Sequence, residues 1–178
     1  MQYLDITLPV REGLPSWPGD PEIHVTPVSR IADGNAESNV TYLASTTHFG
    51  THVDAPWHFL PGGSRVDEMD LNLLIGRCYV LDLRQVTGGI RAAHLARTPE
   101  GVERLLVRTR NSDILGDEAF HPDYIGLLPD AAEELARRGI RLFGLDYYSI
   151  GDIHHNPAVH TAFLSQSGAV ALEGVVLR

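Results

Sequence analysis

One cysteine, Cys78, stands in 178 residues, so no internal disulfide framework is available to the chain. No apolar run is long enough to span a bilayer, and no basic-then-apolar N-terminal stretch reads as a signal peptide. A reducing, cytoplasmic setting without a membrane partner is the expectation. Cations are scarce as well: 14 Lys and Arg face 23 Asp and Glu, a net charge of −9. Such a balance offers no basic patch to a phosphate backbone and argues against a nucleic-acid partner. Gly13, Gly88 and Gly101 fall in no phosphate-binding pattern, which argues against a nucleotide cofactor. Repeats, linkers and low-complexity segments are also missing. What remains is a one-domain length with 43% apolar and 21% charged residues, ordinary for a soluble globular protein.

The densest chemistry lies in Thr46-Thr47-His48-Phe49-Gly50-Thr51-His52-Val53-Asp54-Ala55-Pro56-Trp57-His58-Phe59. If residues 48 to 54 are extended, His48, His52 and Asp54 project from one face, because side chains two apart share a side. Gly50 on that face would leave room for an ion between the histidines. A helix is disfavoured by Gly50, β-branched Thr51 and Val53, and Pro56. Pro56 should end the run and put His58 on the turn beside the site. Two histidines and a carboxylate suit a borderline divalent metal, most often zinc and sometimes manganese. Without thiolates, the set fits a catalytic site with a position left for water better than a closed structural one. The competing reading is three ordinary buried histidines bonded to their neighbours.

Along the rest of the chain, residues 2–10 read as a strand, followed by a stiff turn at 15–21 whose three prolines and glycine surround Trp17. Trp17 either plugs the core from that loop or presents an aromatic face to a pocket. Residues 22–30 and 38–47 read as strands joined by Ala32-Asp33-Gly34-Asn35. Leu60-Pro61-Gly62-Gly63-Ser64 should be a loop near the metal. Residues 77–83 read as a buried strand, 90–97 as a helix and 105–109 as a strand. Asp130 to Arg138 is the best helix, with Asp130 as cap, Glu133 completing a capping box and Gly139 as the stop. Ile140–Leu145 follows as a buried strand. Strand, helix and strand with short links predict one α/β domain with a mixed sheet flanked by helices. Glu173 stands in the apolar run Val170 to Val176, where a carboxylate is costly to bury unless it is paired or bound to a metal. His160, taken alone, is an ordinary packing or hydrogen-bonding residue. His154 and His155 read as polar loop residues.

The histidine stretch resembles the signature H-x-G-T-H-x-D-x-P-x-H of the cyclase-like metal-dependent hydrolases, with every fixed position met, and is most similar to the bacterial kynurenine formamidases. Similarity extends through the Trp17 loop, the Arg-Thr-Arg-Asn-Ser run at 108–112 and the region of His160 and Glu173. The resemblance implies a swivelling β/α-like cyclase fold. It implies one or two zinc ions, or manganese, with Asp54 bridging, His48 and His52 on one ion and His160 and Glu173 on the other. It moves Trp17 towards a pocket wall against the aryl ring of a small-molecule aryl formamide. It also implies a homodimer, and a further stretch of strand after the point where this chain ends at Arg178; an exposed edge there would pair strands between chains.

The chemistry expected of such a site is hydrolysis. A divalent ion lowers the pKa of bound water from about 15.7 to roughly 7, so hydroxide is available at neutral pH. His58, beside the site and titrating near neutrality, is the candidate general acid and base. The resemblance therefore implies cleavage of N-formyl-L-kynurenine to L-kynurenine and formate. The alternatives are a relative that opens a cyclic amide or lactone, such as an isatin hydrolase with manganese, and a metal-binding module without catalysis.

Overall fold

A computed structural model describes residues 3–34 and 36–178 of the chain. Short apolar runs alternate with helices through its second half, and they form the parallel part of a sheet. β4 (Tyr79–Asp82), β5 (Arg104–Arg108), β6 (Leu142–Leu145) and β7 (Val170–Glu173) lie side by side in chain order, each parallel to the next. A parallel link needs a crossover, and the three crossovers carry α1 (Ala92–Leu95), α2 (Pro129–Arg137) and α3 (Asn156–Leu164). β3 (His52–Asp54) adds antiparallel to β7, which makes the sheet mixed, in the order β3-β7-β6-β5-β4. β1 (His24–Ser29) and β2 (Val40–Ala44) form a separate antiparallel hairpin. The architecture is the expected α/β one.

Two apolar cores hold these layers. Leu81, Leu105, Val107, Phe143, Leu145 and Ala171 point from one sheet face onto Leu95, Ala131, Leu135, Val159 and Phe163 of the helices. Leu8, Leu14, Leu115, Tyr124, Tyr147 and Tyr148 make the second core, beyond the ends of the strands. Between them sits Asp146, fully buried directly after β6. Its carboxylate accepts from the Thr109 and Ser112 backbone N–H groups and from both hydroxyls, at 2.6–3.1 Å. Burial pushes the Asp146 carboxyl upward against the pull of those four donors. The cluster ties the turn after β5 to the end of β6, and so fixes the segment from which Tyr148 and Ser149 reach the site.

Several local expectations shift. Residues 3–10 form no strand, and Gln2 lies outside the described residues. Asp5 Oδ1 accepts from the Thr7 N–H at 2.9 Å, Pro9 lacks a donor, and only Leu8 is buried, so the segment is bent and half-solvated. The 77–83 strand shrinks to β4 and is an edge, with Val80 half exposed rather than buried. Asp130 does not cap α2. Pro129 opens that helix after Leu128, and the Asp130 carboxylate instead accepts from the Ala92 N–H at 3.1 Å, joining α1 to α2. The C-terminal strand β7 is interior. The open sheet edges are β3 and β4, not the chain end. The hairpin turn falls where expected, with Gly34 left-handed at φ 78°, although Asn35 is outside the described residues. No described helix is long and apolar enough to cross a membrane.

Candidate metal centre

Residues 48 to 54 are not one extended run. Gly50 adopts φ 61°, and regular strand begins only at His52. That left-handed turn is why glycine belongs here, since a Cβ on Gly50 would meet nothing within 4 Å. Gly174, directly after β7, answers it: a Cβ there would overlap the Gly50 carbonyl oxygen, so the two segments pass at a distance only glycine permits. Thr51 Oγ1 locks the crossing by donating to the Gly174 carbonyl at 2.6 Å. The register of β3 on β7 then sets His52 opposite Glu173 and Asp54 opposite Ala171, so His52, Asp54 and Glu173 share a face. His58 ends the 3-10 turn Pro56–His58, as its proline suggested. His160 comes from the middle of α3, which sequence periodicity did not mark.

Six of the seven residues singled out in the sequence thereby converge. Asp54 is buried at the centre, ringed by His48 Nδ1 at 2.8 Å, His52 Nε2 at 3.4 Å, His160 Nε2 at 3.6 Å and His58 Nε2 at 3.8 Å. Glu173 Oε1 lies 3.1 Å from His160 Nε2, and its Oε2 lies 3.4 Å from His52 Nε2. Backbone carbonyls orient two of the rings. Gly50 O faces His52 Nδ1 at 3.2 Å and Asn156 O faces His160 Nδ1 at 2.9 Å, which places a proton on each Nδ1 and turns Nε2 inward. Phe59 stacks on His160 with centroids 4.4 Å apart, and His58 stacks on His48 at 3.8 Å. His52 Nε2 and both Asp54 carboxylate oxygens are buried without a well-aligned hydrogen bond, for all the 2.8 Å approach of His48 Nδ1 to Asp54 Oδ1. Buried acceptors left open at one point fit a cation there. Among the described residues, donor atoms within 4.8 Å of one another fall into two groups, His48–Asp54–His58 and His52–Asp54–Glu173. Asp54 is common to both groups.

Charge coupling within the cluster is strong. Burial pulls His52 down, yet the facing Asp54 and Glu173 prevail and hold it at about 10. His160 is likewise raised, burial being outweighed by Glu173. Asp54 and Glu173 are lowered in spite of burial, Asp54 by His48 and His52, Glu173 by His160 and His52. His58 is lowered, chiefly by burial, with Asp54 opposing. In the metal-free protein, His52 is protonated when folded and follows a pKa of 6.5 when unfolded. Its contribution is therefore complete below 6.5 and lost as pH climbs towards 10. The lowered carboxylates contribute above their ordinary range, and that part is lost in acid. Thermal unfolding of metal-free protein should thus peak near pH 5–6.5 and decline on both sides, each kcal/mol moving Tm by about 2–4 °C. Added metal competes with the His52 proton, so its stabilising effect should grow with pH across the same window. A Tm that stays level from pH 6.5 to 10 without metal would count against the coupling.

Two cavities flank the cluster. One, of about 290 Å³, is bounded by Trp17, Phe59, Tyr148, Ser149, Asn156 and the inner face of the cluster. Trp17 does both things its loop allowed: it packs edge-on against Phe120 at 5.5 Å and it lines this cavity. Ser149 Oγ donates to Asn156 Oδ1 at 2.6 Å beside it. Neither residue was marked in the sequence, although a polar pair next to buried apolar runs was the available signal. The second cavity, of about 530 Å³, opens past Trp57. His154 and His155 stay outside both, exposed at the start of α3, where His155 Nδ1 pairs with Asp152 at 2.8 Å.

The chain is similar to known proteins over nearly its whole length. The family described as "Putative cyclase" matches residues 4–152. A kynurenine formamidase from Erythrobacter litoralis (strain HTCC2594) is 34% identical over 174 residues, covering 97% of this chain and 78% of that protein. The structure of a predicted metal-dependent hydrolase from Bacillus stearothermophilus superposes with a TM-score of 0.80 at 30% identity, over 98% of this chain and 82% of that one. Isatin hydrolase A from Labrenzia aggregata reaches a TM-score of 0.78 at 22% identity, over 98% and 80%, a likeness of fold alone.

Proposed function

Because this chain belongs to the Cyclase family, we propose that it is a metal-dependent amidohydrolase that cleaves N-formyl-L-kynurenine to L-kynurenine and formate. The carrying observation is Asp54, buried with both oxygens lacking a well-aligned hydrogen bond at the meeting point of four imidazoles and a second carboxylate. Kynurenine formamidases that align over nearly the whole chain support the choice of substrate.

His48, His52, Asp54, His160 and Glu173 would hold one or two ions, zinc first and manganese second for this nitrogen and oxygen set. When bound, such an ion supplies an acidified water and a polarised formyl carbonyl. The chain's own groups do the rest. His58, kept neutral by burial at pH 7, takes a proton from the attacking water. The water oxygen joins the formyl carbon, the C–N bond breaks, and His58 returns the proton to the leaving aryl nitrogen. Trp17 packs against the aryl ring, and Phe59 holds His160 in its inward orientation. We place this single catalytic domain in the cytoplasm, where the exposed Cys78 stays reduced. We take it to act as a homodimer, for which exposed Tyr42 and Leu43 on β2 and Ile75 and Val80 at the β4 edge supply apolar surface.

The test is kynurenine release by purified protein reloaded with zinc or manganese. Turnover should vanish on chelation and return with metal. Bound metal without turnover would move the assignment to cyclic amides and lactones; a protein that takes up no metal would end the hydrolase reading.

A further inference from the structure

The larger cavity, about 530 Å³, shares His48, His52 and His58 with the cluster and is lined also by Trp57, Arg65 and Asp67. Trp57 leaves 56% of its surface exposed there. The Arg65 guanidinium lies 4.8 Å from the Trp57 ring centroid, an arrangement that fixes the side chain before any ligand arrives. Arg65 and Asp67 belong to one short turn, braced by the Arg65 N–H donating to Glu68 Oε2 at 2.8 Å. Among the described residues neither charged side chain has an opposite charge within the 4.0 Å of an ion pair. In a chain of net charge −9, an exposed cation and an exposed anion, neither in an ion pair, thus line one largely apolar cavity from positions two apart.

A simple anion would satisfy Arg65 but meet Asp67, and a simple cation would do the reverse. An α-amino acid carries both charges on one carbon, in balance. We propose that Arg65 and Asp67 clamp the α-carboxylate and α-ammonium of an amino-acid substrate, with Trp57 walling the short chain that joins this head to the aryl group and the scissile amide reaching the imidazoles at the other end. This rests on the formamidase reading for the identity of the amide and adds the residues that select its amino-acid head. The cavity is in the size range of small-molecule sites, about 300–1,000 Å³.

The experiment is calorimetric titration of the zinc-loaded full chain with three ligands: L-kynurenine, its decarboxylated analogue and its deaminated analogue. The parent chain should bind L-kynurenine about tenfold or more tightly than either analogue, the scale of one charge-assisted contact. Arg65→Gln should erase the preference over the decarboxylated analogue and keep the preference over the deaminated one. Asp67→Asn should do the converse. This crossed pattern is one that a merely structural role would not produce. The clamp is overturned if L-kynurenine is not bound, if the parent chain does not discriminate, or if either variant weakens all three ligands alike. Discrimination without hydrolysis of N-formyl-L-kynurenine would leave the clamp standing and remove the formamidase reading. Hydrolysis without discrimination would do the opposite.

Discussion

Asp54→Asn is expected to purify as a folded protein that no longer retains metal and has no measurable amidase activity. The substitution keeps the shape of the side chain and removes its charge from a point with 1% exposure, where His48, His52, His58 and His160 all turn a nitrogen inward. One acceptor oxygen becomes an NH₂ group that can only donate, and it would face ring nitrogens that need an acceptor or a cation. His52 would lose one of the two carboxylates that hold its pKa near 10. Breaking a buried charge pair costs about 3–5 kcal/mol, so the metal-free variant should also melt earlier at pH 6. The margin should narrow as pH approaches 10, where the parent protein too has deprotonated His52. Metal content after gel filtration, together with Tm against pH, checks both parts. A variant with unchanged metal content and turnover would remove Asp54 from the centre of the site.

His58→Ala should behave differently, and the contrast is informative. His58 is the outermost of the four rings: its Nε2 lies 3.8 Å from Asp54, and its side chain is 35% exposed. It stacks on His48 at 3.8 Å, too close for both to carry charge comfortably, and its pKa is depressed by burial. A neutral imidazole beside the cluster suits proton transfer to a leaving nitrogen. Loss of a general acid–base group costs about 10²–10⁴ in kcat, so turnover should fall by that factor with metal content intact and substrate binding little altered. The acid limb of the kcat profile should disappear with the ring. If metal content falls in step with activity, His58 is instead a ligand of the His48–Asp54–His58 group. Intact activity would exclude both roles.

The sequence carried the ligand types and their neighbourhood by itself. His48, His52, Asp54 and His58 lie within one turn and one strand, so their proximity follows from local chain chemistry, with Pro56 ending the run as proline must. Glu173 was legible because a carboxylate inside an apolar run needs a partner. The alternation of apolar segments with helical ones was also enough for an α/β sheet. Local pattern failed where a distant neighbour decided the outcome. Asp130 looks like a cap, but the Ala92 N–H claims it. Residues 3–10 look like a strand, but they make only isolated contacts, such as Val176 N–H to Ile6 O at 2.8 Å. Gly50 looks like a gap in a strand and is a left-handed turn pressed against Gly174.

What only the tertiary structure decided is the pairing of the ligands. The antiparallel register of β3 on β7 sets His52 against Glu173, and α3 brings His160 between Glu173 and Asp54. Two backbone carbonyls choose which ring nitrogen faces inward. Arg65 and Asp67, unremarkable in the sequence, come to border the histidines only because the turn that bears them lines the same cavity. Residue identity fixes what a side chain is able to donate or accept; which atoms meet depends on register and backbone contacts between segments far apart in the chain, and no local pattern encodes those.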